Sequence, residues 1–300
     1  MNQPAQRTGG LVQPRDAEVV VGGLRLHYLD WGTAGKPPLI LLHGLTGNAH
    51  NFVWLAPRFV DRYHVLAFDV RGRGDSAPSP DGVYRLESLR DDLQGVVEAL
   101  GLERISLIGI SMGGLISIAY AGAHPDRVVG IALNDVGPDI DPRGLQRIFM
   151  SLVGAPSEFD DVTAAARWLR SAAGYLDALS EDDLIAFTRW GLRQTPAGTW
   201  VWKLDPAVRD IQLQLKHPSQ IDLWGELGRI RCPVLIIRGE TSDILSRETV
   251  AKMVATLPSA EVVEVPGIGH APLLNEPVAV AALERFFGVT AGPKAMPLTP

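Results

Sequence analysis

Ser111 sits between glycines in Gly109-Ile110-Ser111-Met112-Gly113, a G-x-S-x-G spacing suited to attack of a hydroxyl on a carbonyl carbon. Its setting gives the motif weight. It follows an apolar run, Ile105 to Ile108, and opens a helical pattern from Gly114 to Ala123. The two glycines permit a tight turn that a Cβ would crowd, lifting the hydroxyl above the end of a strand. A helix N-terminus beneath the turn favours the negative charge that develops during acyl transfer.

A serine hydroxyl is a weak nucleophile at neutral pH, so the reading demands a base, an orienting acid and an oxyanion site. His270, in Gly267-Ile268-Gly269-His270-Ala271 after the final strand candidate, is the expected base. Asp243 is the expected acid, because it follows the strand Val234 to Ile237 and preserves the order serine, acid, histidine. Its rivals are Glu240, two or three residues early in that loop, and Asp135, at the end of the preceding strand. The oxyanion donors are expected to be the backbone N–H groups of Met112 and of Leu45, the latter in His43-Gly44-Leu45-Thr46-Gly47. His43 reads as an organiser of that loop and, with Trp190 and Trp202, as a candidate to touch substrate. For either tryptophan, packing is the plainer role.

These groups need a scaffold, and the chain supplies short β-branched runs alternating with helical patterns. That alternation predicts a largely parallel sheet covered on both faces. Strands are expected at Glu18 to Val21, Leu24 to Leu29, Leu39 to Leu42, Val65 to Phe68, Ile105 to Ile108, Val128 to Leu133, Pro233 to Ile237 and Glu261 to Val265. Leu86 to Leu100 has helical spacing of apolar residues and ends at Gly101, as a crossover helix would. From Pro138 to Gly228 no convincing strand appears, only helical stretches, and five of the seven tryptophans lie there. The expected organisation is therefore a core from 1–137 and 229–290, an insertion at 138–228, and a disordered tail at 291–300.

Composition narrows the partners. A net charge of −6 offers no basic surface for a nucleic-acid backbone. No stretch approaches the ~20 apolar residues of a membrane span. Met1 to Arg15 lacks an apolar leader core, and Cys232 has no second cysteine to pair with, so a reducing cytoplasm is the expected compartment. Without metal-ligand spacing or a phosphate loop, no cofactor is expected.

His43-Gly44, Asp69-Val70-Arg71-Gly72-Arg73-Gly74-Asp75-Ser76, the serine turn and Gly269-His270 arrive in the order and strand context of the α/β-hydrolase superfamily, which the chain resembles over roughly Val19 to Phe287. The resemblance implies an α/β fold with a mostly parallel eight-stranded sheet, helices on both faces and an inserted helical cap at 138–228 that shapes the pocket. It also implies that the Asp69 to Ser76 loop is structural. Members that open epoxides or cleave carbon–halogen bonds attack with aspartate, so serine at 111 points instead to acyl chemistry. Met112 departs from the tryptophan usual in proline iminopeptidases, and Ala271 from the tryptophan frequent in carbon–carbon bond hydrolases. The expected substrate is a carboxylic ester or lactone with an apolar portion. Alternatives are a vinylogous diketone hydrolase, a cofactor-free perhydrolase, or a small-molecule receptor with an intact triad.

Overall fold

In the computed structural model, which describes residues 7–8, 11–32 and 35–288, the expected alternation becomes one eight-stranded sheet. Its strands are β1 (Arg15–Val21), β2 (Leu24–Asp30), β3 (Pro38–Leu42), β4 (His64–Phe68), β5 (Ile105–Ile110), β6 (Val128–Asn134), β7 (Val234–Gly239) and β8 (Ala260–Val265). Across the sheet the order is β8-β7-β6-β5-β3-β4-β2-β1. Only the pairings of β2 with β1 and with β4 are antiparallel; the other five are parallel. The 291–300 tail lies outside the described residues.

The central strands read as unbroken apolar runs because both of their faces are covered. Alternate residues feed two separate cores: Ile40 and Leu42, with Leu66, Leu107, Ile131 and Ile236, pack on one side. Leu39 and Leu41, with Val65, Ile108, Ala132 and Leu235, pack on the other. Four helices bear on the first side: α1 (Leu86–Ala99), α2 (Met112–Ala123), α7 (Leu223–Arg229) and α8 (Arg247–Thr256). Helix α9 (Pro277–Phe286) and the aromatic ring cluster Phe59, Tyr63 and Phe287 cover the second. Helix α2 is buried along nearly its whole length, so its neighbours must approach closely. A Cβ at Gly122 would lie 2.4 Å from the carbonyl oxygen of Glu226 in α7, and that contact explains the glycine.

Between β6 and β7 the chain leaves the sheet and forms α3 (Pro142–Gly154), α4 (Val162–Ala172), α5 (Glu181–Trp190) and the short α6 (Ile211–Leu215) before returning through α7. The expectation that this stretch has no strand is corrected. Leu192–Gln194 and Trp200–Trp202 pair as a small antiparallel hairpin. Its Trp200 and Trp202 join Phe159, Ala165, Trp168 and Leu192 in an apolar cluster of their own. A second cluster seats the stretch on the core, with Trp54 and Phe187 stacked at 5.7 Å between ring centroids. Cys232 is buried just before β7, where burial pushes its thiol up to about 11 and leaves it unreactive. Among the described residues no helix is long and apolar enough to cross a membrane.

Candidate active site

Ser111 stands at the sharp turn from β5 into α2 with φ 50° and ψ −114°, a conformation that side chains rarely adopt. The flanking glycines make the turn feasible. A Cβ at Gly109 would meet Gly113 backbone atoms at 2.4 Å, and one at Gly113 would lie 2.0 Å from the carbonyl oxygen of Leu42. The Ser111 N–H donates to the carbonyl of Asn134 at 2.9 Å, which ties the turn to the end of β6.

His270 reaches this serine from the loop between β8 and α9. Its Nε2 lies 2.9 Å from Ser111 Oγ, and its Nδ1 lies 2.8 Å from Asp135 Oδ2. A carboxylate can only accept, so Nδ1 carries the proton and the Nε2 lone pair faces the serine hydroxyl. That is the arrangement of a base ready to take the Oγ proton.

The acid is where the sequence reading fails. Asp243 does not reach His270; its carboxylate is partly exposed and receives two hydrogen bonds from Arg147, at 2.6 and 2.7 Å. Those hydrogen bonds outweigh desolvation and hold its pKa below the usual carboxylate value. Asp135 takes the position instead. It lies one residue past β6 with φ 57°, and its own N–H donates to Ile237 on β7 at 2.7 Å. Its fully buried carboxylate accepts from the Gly239 N–H at 2.9 Å, from Ser242 Oγ at 2.6 Å and from His270 Nδ1. Glu240, the other rival, accepts from the Gly267 N–H at 2.6 Å and braces the histidine loop from outside. Ser242 and Asn134 were not singled out by sequence. Ser242 is held by N–H donors of Ile244 and Leu245 while it donates to Asp135. Asn134 Nδ2 donates to the carbonyl of Pro272 at 2.7 Å, anchoring the histidine loop to β6.

The loop after β3 lies against the serine turn: a Cβ at Gly44 would sit 3.7 Å from both Ser111 Cβ and the carbonyl of Ile110. Among the described residues the N–H groups of Leu45 and Met112 have no protein acceptor. His43, a candidate substrate contact by sequence, is fully buried beneath this loop and does not line the cavity. Its Nδ1–H donates to the Gly44 carbonyl at 2.7 Å, and its Nε2 accepts from the Val70 N–H at 3.0 Å. Desolvation lowers its pKa to about 4, so it is neutral. Arg73, also fully buried, donates through Nε to the Leu45 carbonyl at 3.1 Å and lies over the Tyr84 ring. The Asp69 carboxylate secures the same region, accepting from Ala49 N, Asp75 N and His27 Nδ1.

A cavity of about 210 Å³ opens over Ser111 and His270. Its walls come from the Gly44 to Asn48 loop on the core side and from α3, α4, α5 and the 202–209 stretch on the other. Trp202 lines it, with its indole N–H donating to the Pro156 carbonyl at 3.1 Å. Trp190 does not. It stacks on His50 at 5.1 Å between ring centroids, away from the cavity wall.

A family model described as the alpha/beta hydrolase fold matches residues 37–277. The chain belongs to the alpha/beta hydrolase family. This hydrolase is similar to the 3-hydroxybutyrate-oligomer hydrolase of Cupriavidus necator, 32% identical over 273 residues that cover 88% of this chain and 92% of the relative. It is 28% identical over 253 residues to the 2-(acetamidomethylene)succinate hydrolase of Mesorhizobium japonicum, covering 84% of this chain and 87% of that protein. Among solved structures, an alpha/beta hydrolase from Novosphingobium aromaticivorans superposes on it with a TM-score of 0.84 at 34% identity, covering 93% of this chain and 99% of the other.

Proposed function

We propose that this hydrolase cleaves a carboxylic ester or lactone through an acyl-enzyme intermediate, with Ser111 as nucleophile, His270 as base and Asp135 as the orienting acid. The reading rests on one observation: Ser111 and His270 line the cavity, and a hydrogen-bonded chain with steps of 2.9 and 2.8 Å runs from Ser111 through His270 to Asp135 buried behind them. Ser111 Oγ attacks the carbonyl carbon as Nε2 takes its proton. Nδ1–H stays bonded to Asp135, which stabilises the imidazolium without itself being protonated. The carbonyl oxygen, now an oxyanion, is received by the unengaged N–H groups of Leu45 and Met112. Each such donor is worth roughly 3 kcal/mol of transition-state stabilisation. The imidazolium returns the proton to the leaving alkoxide, and water, activated by the same nitrogen, releases the acid.

Residues 138–228 act as the cap over this chemistry, and Trp202 belongs to the apolar wall against which the substrate rests. The Cupriavidus necator relative is named for hydrolysis of 3-hydroxybutyrate oligomers, in keeping with an ester substrate. The test compares wild type with Ser111→Ala on 4-nitrophenyl acetate and butyrate. Loss of kcat by roughly 10⁴-fold or more is expected, since nucleophile and base act as a unit. Turnover that survives the substitution removes Ser111 from the mechanism.

A further inference from the structure

The cavity carries charge of one sign. Arg147, Lys203 and Arg209 line it, while no aspartate or glutamate does, in a chain whose net charge is −6. Two of these cations are matched from behind the wall. Arg147 holds the Asp243 carboxylate through two hydrogen bonds, and Lys203 Nζ donates to Asp75 at 2.6 Å.

Arg209 differs. It ends the 3-10 turn Pro206–Arg209, is half-buried, and donates through Nη1 to the Ala155 carbonyl at 3.0 Å. Among the described residues no carboxylate pairs with it. Desolvation alone pulls its pKa below the usual arginine value, with no anion offsetting the effect. A guanidinium taken partly out of water without a counter-ion is costly, and an anion brought in by the substrate would offset that cost through charge-assisted hydrogen bonds. One unmatched positive charge balances one negative charge, which suits a carboxylate and leaves a phosphate dianion under-compensated. The rest of the wall, including Ile148, Leu152, Leu169 and Phe187, offers apolar surface for the chain that joins carboxylate to ester.

We propose that Arg209 is a carboxylate-binding group, and that the ester cleaved at Ser111 belongs to a molecule carrying a free carboxylate: a half-ester of a dicarboxylic acid, or an ester whose alcohol part ends in an acid. The proposal deepens the ester-hydrolase reading and rests on it.

The test measures kcat/KM by pH-stat for monoethyl glutarate, monoethyl adipate and 3-butyryloxypropanoate against the neutral ethyl butyrate and ethyl valerate. Wild type prefers at least one anionic ester. Arg209→Gln lowers the ratio of anionic to neutral kcat/KM by roughly 10- to 100-fold, mainly through KM, as loss of a charge-assisted contact predicts. Arg209→Lys keeps most of the preference. A ratio that moves less than about threefold in Arg209→Gln, well below the loss of one charged hydrogen bond, overturns the proposal. So does a wild-type preference for the neutral esters. A second readout separates this proposal from the catalytic one: calorimetric binding of monoethyl adipate to Ser111→Ala, with and without Arg209→Gln. Binding that depends on Arg209 in a protein whose wild type cleaves no ester would sustain the carboxylate site and sink the ester chemistry. Cleavage of neutral esters with binding indifferent to Arg209 would do the reverse.

Discussion

At the scale of single residues, the site depends on which carboxylate faces the imidazole. Asp135 is fully buried and takes three hydrogen bonds, one of them from His270. An amide there offers the wrong hydrogen-bonding group to Nδ1 and destabilises the imidazolium. Asp135→Asn is therefore expected to lower kcat by roughly 10²- to 10⁴-fold. Asp243→Asn breaks only an exposed pair with Arg147, an interaction of about 0–1 kcal/mol, and its steady-state kcat stays within a few-fold of wild type. A larger loss in Asp243→Asn would restore the sequence-based assignment. His43 supplies the pH prediction. Its folded pKa of about 4 lies below the unfolded value near 6.5, so between these limits the unfolded chain binds a proton that the folded protein does not. Stability contributed by keeping His43 neutral is thus present above the unfolded value and is lost as pH falls towards 4, by roughly 3 kcal/mol in all. His27 titrates with the opposite sign, since bonds to Asp69 and Asp16 overcome its desolvation and raise its pKa. Urea unfolding of wild type and His43→Gln from pH 7 to pH 4 checks this. The difference in stability between them should shrink towards acid, and parallel curves would refute it.

At the scale of elements, α2 must lie tight against both the sheet and α7. Gly122→Val would drive a side chain into the Glu226 carbonyl, a strain of about 1–3 kcal/mol, lowering Tm by several degrees in a thermal melt. Kinetics of the folded fraction stay near wild type, because the clash lies along α2 from the nucleophile. An unchanged Tm would mean that α7 yields without cost. The same tightness explains why the centre of the scaffold was readable: strands such as Leu39 to Leu42 and Val234 to Ile237, covered on both faces, read as unbroken apolar runs. The partly exposed edge strands Arg15–Val21 and Ala260–Val265 showed themselves by their β-branched valines, and all eight emerged within a few residues of their bounds. The hairpin at Leu192–Gln194 and Trp200–Trp202 was overlooked because strands of three residues carry almost no periodic signal. The tryptophans alternating around Val201 beyond Pro196 and Gly198 were the available clue. The acid was misplaced for another reason. Chain order constrains which loop could carry it, whereas reach depends on the turn after β6, where Asp135 adopts a positive φ that no spacing rule reveals. Ser242 and Arg209 were beyond sequence altogether, since their significance comes from what faces them across space.

At the scale of the whole molecule, the sheet and its helices are built on two continuous cores, while the stretch between β6 and β7 packs on two small clusters, one of its own and one shared with Trp54 of the core. Within the stretch from α3 to α6, residues 203–214 are bonded to the core through Gly74 N–H to the Lys203 carbonyl, Asp205 N–H to the Gly72 carbonyl, and Gln214 with Tyr84 and Gly82. Helices α4 and α5 meet it instead through side-chain packing around Trp54, with the Trp54–Phe187 and His50–Trp190 stacks. Hydrogen exchange should therefore protect amides of β5 and α2 to the level of global unfolding, while those of α4 and α5 exchange through a cheaper opening. Equal protection across both would show a single cooperative unit. Such an opening need not disturb the reacting groups. β5, β6 and β7 are adjacent and bonded to one another up to their carboxyl ends, with Ser111 fastened to Asn134 and Asp135 to Ile237. The distance from nucleophile to acid is thereby fixed by a strand spacing of roughly 5 Å, not by the path of the chain. The roughly hundred-residue excursion between β6 and β7 could be lengthened, shortened or rewritten to admit a different molecule, and the measuring rod beneath it would keep its length.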